Sequence, residues 1–253
     1  MGVVVLIPAR YGSRRFPGKP LALIAGRPLI EWVYRQARKI PGVEGLYVAT
    51  DDRRILKCVA DFGGQAILTR DDHLSGSDRL AEAAELLRLG ADELVVNIQG
   101  DQVVFPIEVV GQLVGVLKDK GEVVMATPVR CLNDPEAAAN PNVIKVVFDH
   151  QGRALYFSRS PLPYWRDGGR PYFYKHIGIY AYRVGFLQKF VALPPGRWET
   201  AEKLEQLRAL EYGFPIQVVE TEEDTVEVDT PADAMRAAEW LGDRQQWPVS
   251  NDQ

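Results

Sequence analysis

The strongest constraint on how this chain can fold is an alternation in its first half, where short apolar runs are separated by single stretches of helical periodicity. Val3 to Ile7 is an unbroken apolar run of strand-like residues, as suits a strand buried on both faces. A loop rich in Gly, Arg and Pro follows. A helix then opens near Pro28, a residue suited to a first turn, with Leu29, Val33, Ala37 and Ile40 on one face. Leu46 to Ala49 reads as a second strand. Asp51 or Asp52 caps the next helix, whose apolar face is Ile55, Cys58, Val59 and Phe62 and whose stop is Gly63-Gly64. Ala66 to Leu68 reads as a short strand, Asp78 to Leu89 as a helix, and Leu94 to Ile98 as another buried strand. Strands joined by single helices imply βαβ units and a mainly parallel sheet. Such units cross over with one hand, so the loops after the strands share one edge of the sheet. Those loops are Arg10 to Lys19, Ser75 to Arg79 and Gln99 to Gln102, all polar and Gly-bearing.

From about Val123 the pattern changes. Val123 to Val129, Val143 to Phe148, Ala154 to Ser158 and Ile177 to Tyr182 read as strands without comparable helices between them, which suggests an antiparallel extension or lobe. Leu162 to Tyr174, rich in Pro, Gly and aromatics, reads as an irregular loop or an oligomer contact. Helices are expected over about Glu199 to Tyr212 and Pro231 to Leu241, and a frayed tail after Trp247. Trp32, Phe62 and Tyr212 lie at helical spacing from other apolar residues and are expected in the core.

Composition narrows the function classes. A net charge of −4 argues against a general nucleic-acid binder. No apolar run is long enough to span a membrane, and no basic n-region precedes the first strand, so neither a membrane span nor a secretory signal is expected. Met1-Gly2 is followed by Leu6 where a myristoylation start needs Ser or Thr. Cys58 and Cys131 provide neither a disulfide framework nor metal-ligand spacing, and are expected to be reduced and mostly buried.

The chemistry concentrates after the first strand. Arg10, Arg14, Arg15 and Lys19 crowd into ten residues with Gly12, Ser13 and Gly18. Small residues let backbone N–H groups approach an anion while the cations neutralise it, so this loop reads as a phosphate cradle, although it matches neither a Walker A nor a dinucleotide-binding spacing. Asp101 ends a buried strand and should project into the same site. Asp229 precedes Thr230-Pro231, where Thr can cap the last helix and Pro open it. Ser75 to Arg79 reads as a small-residue turn capping a helix, with Asp78 matched to the helix dipole.

At this point the sequence resembles the CMP-Kdo synthetases (3-deoxy-manno-octulosonate cytidylyltransferases), relatives of the CMP-sialic acid synthetases. The matching blocks, in order along nearly the whole chain, are IPARYGSRRFPGKPL from 7, VATDD at 48–52, SGSDRLAE at 75–82, NIQGDQ at 97–102, ALYFSRSPLP at 154–163, YKHIGIYAYR at 174–183, LEQLRALEYG at 204–213 and EVDTPAD at 227–233. The resemblance implies an α/β nucleotidyltransferase: a single domain over 1–253 with a mainly parallel, Rossmann-like sheet and a smaller antiparallel extension, with about 130–200 as a sugar-binding and dimerisation lobe. It implies transfer of CMP from CTP to the anomeric hydroxyl of Kdo, an acidic eight-carbon sugar, with release of pyrophosphate, for lipopolysaccharide biosynthesis in the cytoplasm by a homodimer. It further implies Mg²⁺ held by Asp101 and Asp229, a fit to the preference of that ion for one or two carboxylates. Pro8, Ala9, Arg10, Gly12, Ser13, Arg15, Lys19 and Asp101 would hold the nucleotide, with Ser75, Gly76 and Arg79 around the cytosine. Arg15, Lys19, Asp101 and Asp229 would carry catalysis. Gln99, Gln102, Arg159, His176, Tyr180, Glu205 and Gln206 would hold the sugar, with the Arg159 fork suited to its carboxylate.

One departure is Gln102, where many members carry Glu. A neutral amide binds metal weakly, so Gln102 points to the sugar side and leaves room for the 8-amino analogue of Kdo or another nonulosonic acid. A nucleotide-sugar glycosyltransferase would be expected to show Asp-x-Asp at a strand end, which Asp101 does not begin. A catalytically dead nucleotide-binding regulator would not be expected to keep Arg15, Lys19, Asp101 and Asp229 together.

Overall fold

The computed structural model describes residues 2–12, 16–166 and 172–243. Ser13 and Arg15 of the basic loop, most of the Arg166–Tyr172 loop, and the tail after Trp247 therefore lie outside the described residues.

The alternation predicted for the first half is present. Strand β1 (Val3–Ala9) leads to a 3-10 turn (Lys19–Leu21), a small hairpin of β2 (Leu23–Ile24) and β3 (Arg27–Pro28), and helix α1 (Leu29–Ala37). Then come β4 (Gly45–Thr50), α2 (Arg53–Asp61), β5 (Ala66–Leu68), α3 (Gly76–Leu86) and β6 (Leu94–Asn97). Local chemistry fixes the boundaries. Asp52 caps α2 by accepting from the Arg54 N–H, and the chain leaves that helix through Gly63 in the left-handed region. Ser75 and Asp78 form a reciprocal capping box at the start of α3. That helix ends three residues short of expectation, because Arg88 turns left-handed. Strands β5, β4, β1 and β6 lie side by side and parallel, so their carboxyl ends share one edge.

The second half departs further from expectation. After β7 (Gln102–Val104), α4 (Ile107–Asp119) occupies a stretch to which the periodicity assigned no element. Strand β8 (Met125–Leu132), the short α5 (Pro135–Ala139), β9 (Lys145–Phe148), β10 (Ala154–Ser158), β11 (Phe173–His176) and β12 (Tyr180–Arg183) follow. These strands do not form a separate sheet. β12 pairs antiparallel with β6 and carries the sheet onward to β8, β11, β9 and β10. Helix α6 (Val184–Ala192) was also unassigned. The single helix expected over Glu199 to Tyr212 is two, α7 (Arg197–Glu202) and α8 (Gln206–Glu211), broken where Lys203 adopts φ +55°. Strand β13 (Gln217–Thr221) runs parallel to β8, β14 (Val226–Glu227) pairs with β7, and α9 (Pro231–Asp243) closes the described chain.

Apolar layers cover both faces of the sheet. One face packs α1, α2, α4 and α9 against residues such as Val5, Ile7 and Val96, and the other packs α3, α6 and α8 against Leu6, Val95 and Phe157. Two expectations of burial fail. Tyr212 is exposed, since it caps the end of short α8 and projects past it, whereas Trp32 and Phe62 do pack partly against the core. Cys131 is exposed because its side of β8 is left uncovered near the strand end, and Cys58 is half-buried. Among the described residues no helix is long and apolar enough to cross a membrane.

Candidate active site

The shared edge of the parallel strands gathers the three polar loops. The turn after β6 reaches the end of β1 only because Gly100 lacks a side chain: a Cβ there would lie 2.8 Å from the Pro8 carbonyl oxygen. The basic loop folds back through Gly18, at φ +70°, whose N–H donates to the Tyr11 carbonyl at 3.1 Å. That closure delivers Lys19 to the site. Asp229 arrives from the far end of the chain, because the Val228 N–H donates to the Asp101 carbonyl at 3.0 Å. Thr230 and Asp233 then cap α9 as a reciprocal pair, matching the role read for Thr230.

The result is a bridge. Lys19 Nζ lies 2.6 Å from Asp101 Oδ2 and 3.2 Å from Asp229 Oδ1. Two carboxylates from segments far apart in sequence thus converge on one positive charge. That is the donor set a hard divalent cation uses when phosphate oxygens and water complete its shell. Among the described residues no cluster of three or more His, Cys, Asp or Glu forms a cage, so a metal held here would take its other ligands from substrate and solvent. Arg10 stands exposed at the end of β1, beside Pro8 and buried Ala9, with exposed Gly12 two residues on. Ser75 and Gly76 border the same edge, Gly76 near the Pro8 ring. Arg79, expected at the cytosine, is buried instead with its guanidinium on Asp51 at 2.9 Å, on Thr69 and on the Arg70 carbonyl. It therefore braces the turn that presents Ser75 and Gly76.

Beside the bridge lies a polar cavity of ≈ 460 Å³. Gln99, Arg159, His176, Tyr180, Glu205 and Gln206, all expected around a sugar, line it. Gln102 does not. It is fully buried behind the wall, accepting from the Gln99 N–H at 3.3 Å and donating Nε2 to Glu227 Oε1 at 3.1 Å. The Arg159 fork, expected to be available to a carboxylate, is turned into the protein. Nε donates to the Glu202 carbonyl at 2.7 Å, Nη1 to Pro141 at 2.8 Å and Nη2 to Lys203 at 3.4 Å. Those carbonyls are the exposed ends of loops and a helix that no other donor reaches, so the fork is spent on stitching the wall.

The electrostatics of the wall follow from burial. His176 is enclosed and beside Lys175, so its pKa is lowered to about 3 and the ring is neutral at physiological pH. Thr127 gives its hydroxyl proton to the Ile179 carbonyl at 2.7 Å and accepts from His176 Nε2 at 2.9 Å, which fixes the tautomer. Burial holds the Tyr180 hydroxyl far above its usual pKa. Burial also raises Glu205, whose Oε2 accepts from Ser77 at 2.7 Å. Glu227 opens onto the cavity but is crowded by protein, and that enclosure together with Asp101 raises its pKa.

Sequence reasoning missed several lining residues: Glu227, Asn97, Ser77 and Lys175. Each lies inside a block already singled out, and Asn97 carries a signal of its own as a polar residue ending a strand that is otherwise apolar. Lys145 has no such signal. It is fully buried and donates to the carbonyls of Asn140 at 3.1 Å, Val143 at 2.6 Å and Arg159 at 2.5 Å.

Comparison with known proteins agrees with this geometry. The family profile described as Cytidylyltransferase matches residues 4–223. A 3-deoxy-manno-octulosonate cytidylyltransferase from Syntrophobacter fumaroxidans is 53% identical over 92% of this chain and 94% of its own length. An 8-amino-3,8-dideoxy-manno-octulosonate cytidylyltransferase from Shewanella pealeana is 51% identical over 92% of this chain and 96% of its own. A solved structure of CMP:2-keto-3-deoxy-manno-octonic acid synthetase complexed with CTP superposes with a TM-score of 0.90 at 42% identity, over 96% of this chain and 99% of that one.

Proposed function

This chain belongs to the cytidylyltransferase family, and from that premise we propose that it transfers CMP from CTP to the anomeric hydroxyl of 3-deoxy-manno-octulosonate, releasing pyrophosphate. The observation that carries the reading is the Asp101–Lys19–Asp229 bridge beside a polar cavity, in a chain this similar to relatives named for that reaction. The acceptor oxygen attacks the α-phosphorus as the bond from that phosphorus to the β-phosphate oxygen breaks. No protein nucleophile is needed.

Asp101 and Asp229 are the residues that would hold Mg²⁺. When bound, that ion neutralises phosphate charge and lowers the pKa of the acceptor hydroxyl. Lys19, with Arg10 and Arg15, opposes the triphosphate and stabilises the charge that grows on pyrophosphate. Its present partners are carboxylates, so an arriving triphosphate and cation can exchange for them without leaving a charge bare. Pro8, Ala9, Gly12 and Ser13 shape the phosphate loop, and Ser75 and Gly76, braced by Arg79, supply a narrow turn for the pyrimidine. Gln99, His176, Tyr180, Glu205 and Gln206 offer fixed hydrogen-bonding groups to the sugar. Arg159 and Gln102 orient the wall behind them, and the enclosure holds the acceptor in line.

The reading extends to a homodimer formed through the antiparallel lobe of about 130–200, a cytoplasmic location and a product that serves lipopolysaccharide biosynthesis, all supported by the block-by-block resemblance. The decisive assay incubates the protein with Mg²⁺, each nucleoside triphosphate and the sugar acid, and measures pyrophosphate. CTP-dependent release is expected. No release with any acid of this class would overturn the reading.

A further inference from the structure

The acceptor cavity holds more negative charge than it has positive charge to offer. Glu205 and Glu227 both line it. Its cations are committed elsewhere: Lys175 lies 2.6 Å from Asp224, Arg159 gives its fork to main-chain carbonyls, and His176 is a neutral donor to Thr127. The unpartnered polar atoms of the wall are acceptors too. Asn97 Oδ1, on a side chain 2% exposed, and Glu205 Oε1 have no hydrogen-bond partner. Buried acceptors and unopposed carboxylates are costly until a ligand supplies donors and positive charge. Glu227 is held for that purpose, with Oε1 accepting from Gln102 Nε2 at 3.1 Å and from Thr225 Oγ1 at 3.3 Å.

We propose that Glu227, positioned by Gln102, is a specificity determinant that makes this cavity prefer an acceptor bearing a protonated amine, an amino-deoxy form of the eight-carbon sugar acid, over the all-hydroxyl acid. The inference rests on the cytidylyltransferase reading above and refines its substrate. An aliphatic amine is cationic at neutral pH. It forms a charge-assisted hydrogen bond with a carboxylate, stronger than any a hydroxyl makes there. The acceptor named for the Shewanella relative carries such an amine on carbon 8. The acid group is on carbon 1, beside the reacting carbon, so the two charges of that acceptor meet different parts of the site.

The test measures pyrophosphate release with CTP and Mg²⁺, giving kcat and KM for 8-amino-3,8-dideoxy-manno-octulosonate and for the plain acid in the same preparation. The parent protein is expected to favour the amino acid at least about tenfold in kcat/KM. Glu227→Gln should abolish or reverse that order, chiefly through the KM of the amino acid, and Gln102→Leu should weaken it. Because the readout is a ratio within one preparation, partial loss of folded protein cancels. Equal or better use of the plain acid by the parent, or an E227Q variant that keeps the preference, overturns the proposal and leaves cytidylyl transfer intact. Release with neither acid overturns both.

Discussion

Lys19 and Lys145 are two enclosed ammonium groups at opposite sides of the site, and they are satisfied differently. Lys19 sits between two carboxylates at the mouth formed by the parallel strands. Lys145 sits among three main-chain carbonyls in the antiparallel wall. Carboxylate partners are mobile side chains whose charge another cation can take over. Carbonyl partners are fixed by the backbone and can be exchanged only by moving it. The mouth is therefore built for trading ions with a triphosphate, while the wall is built to hold still around a sugar.

The largest expected effect breaks the mouth. Asp101→Asn should leave thermal unfolding near that of the parent, because the pair is partly solvent-exposed, and lower kcat by about 10²–10³-fold, the usual consequence of removing one preorganised electrostatic group. Near-normal turnover would remove Asp101 from the chemistry. The wall should respond through stability instead. Lys145→Met leaves three carbonyls without their donor and should cost about 2–4 kcal/mol in urea unfolding. It should also raise the KM of the sugar acid more than that of CTP, because the Arg159 main chain loses its tether. An unchanged unfolding midpoint would show that the carbonyls find other donors.

A third test uses pH. His176 has a pKa of about 3 when folded, against an ordinary value of 6.5. Below about pH 6.5 the unfolded chain binds a proton that the folded wall refuses, so this group removes stability as pH falls, by up to about 1.4 kcal/mol per unit. His176→Asn should flatten the fall in unfolding free energy between pH 6.5 and 5 by that slope. Identical slopes would mean the ring is protonated in place. The smallest effect is expected at Cys131, which is exposed at a strand end. Cys131→Ser should change stability by less than about 0.5 kcal/mol, and a larger loss would show that this face is covered.

Much of the mouth was legible because its signals are local. An apolar run stops, glycine permits a turn, and cations or an aspartate follow, so β1, β6 and the loops at Arg10, Ser75 and Gln99 could be read in order. The elements missed were those without contrast. Ile107–Asp119 is apolar on most sides with many β-branched residues, so helical and strand periods do not separate. Val184–Ala192 is likewise largely apolar, and the break at Lys203 is a left-handed residue with no glycine to announce it.

By itself the sequence determined the parallel strands, the basic loop and the carboxylates that serve it, because strand burial and turn chemistry are set by near neighbours. Only the tertiary structure decided which charges are available. It turned Arg159 and Arg79 inward, left His176 neutral, put Gln102 behind the wall and brought Glu227 into the cavity. A side chain's charge and reach are written in its residue type. Its partners are chosen by segments as distant as Gln102 and Glu227, which become neighbours only when β7 and β14 pair.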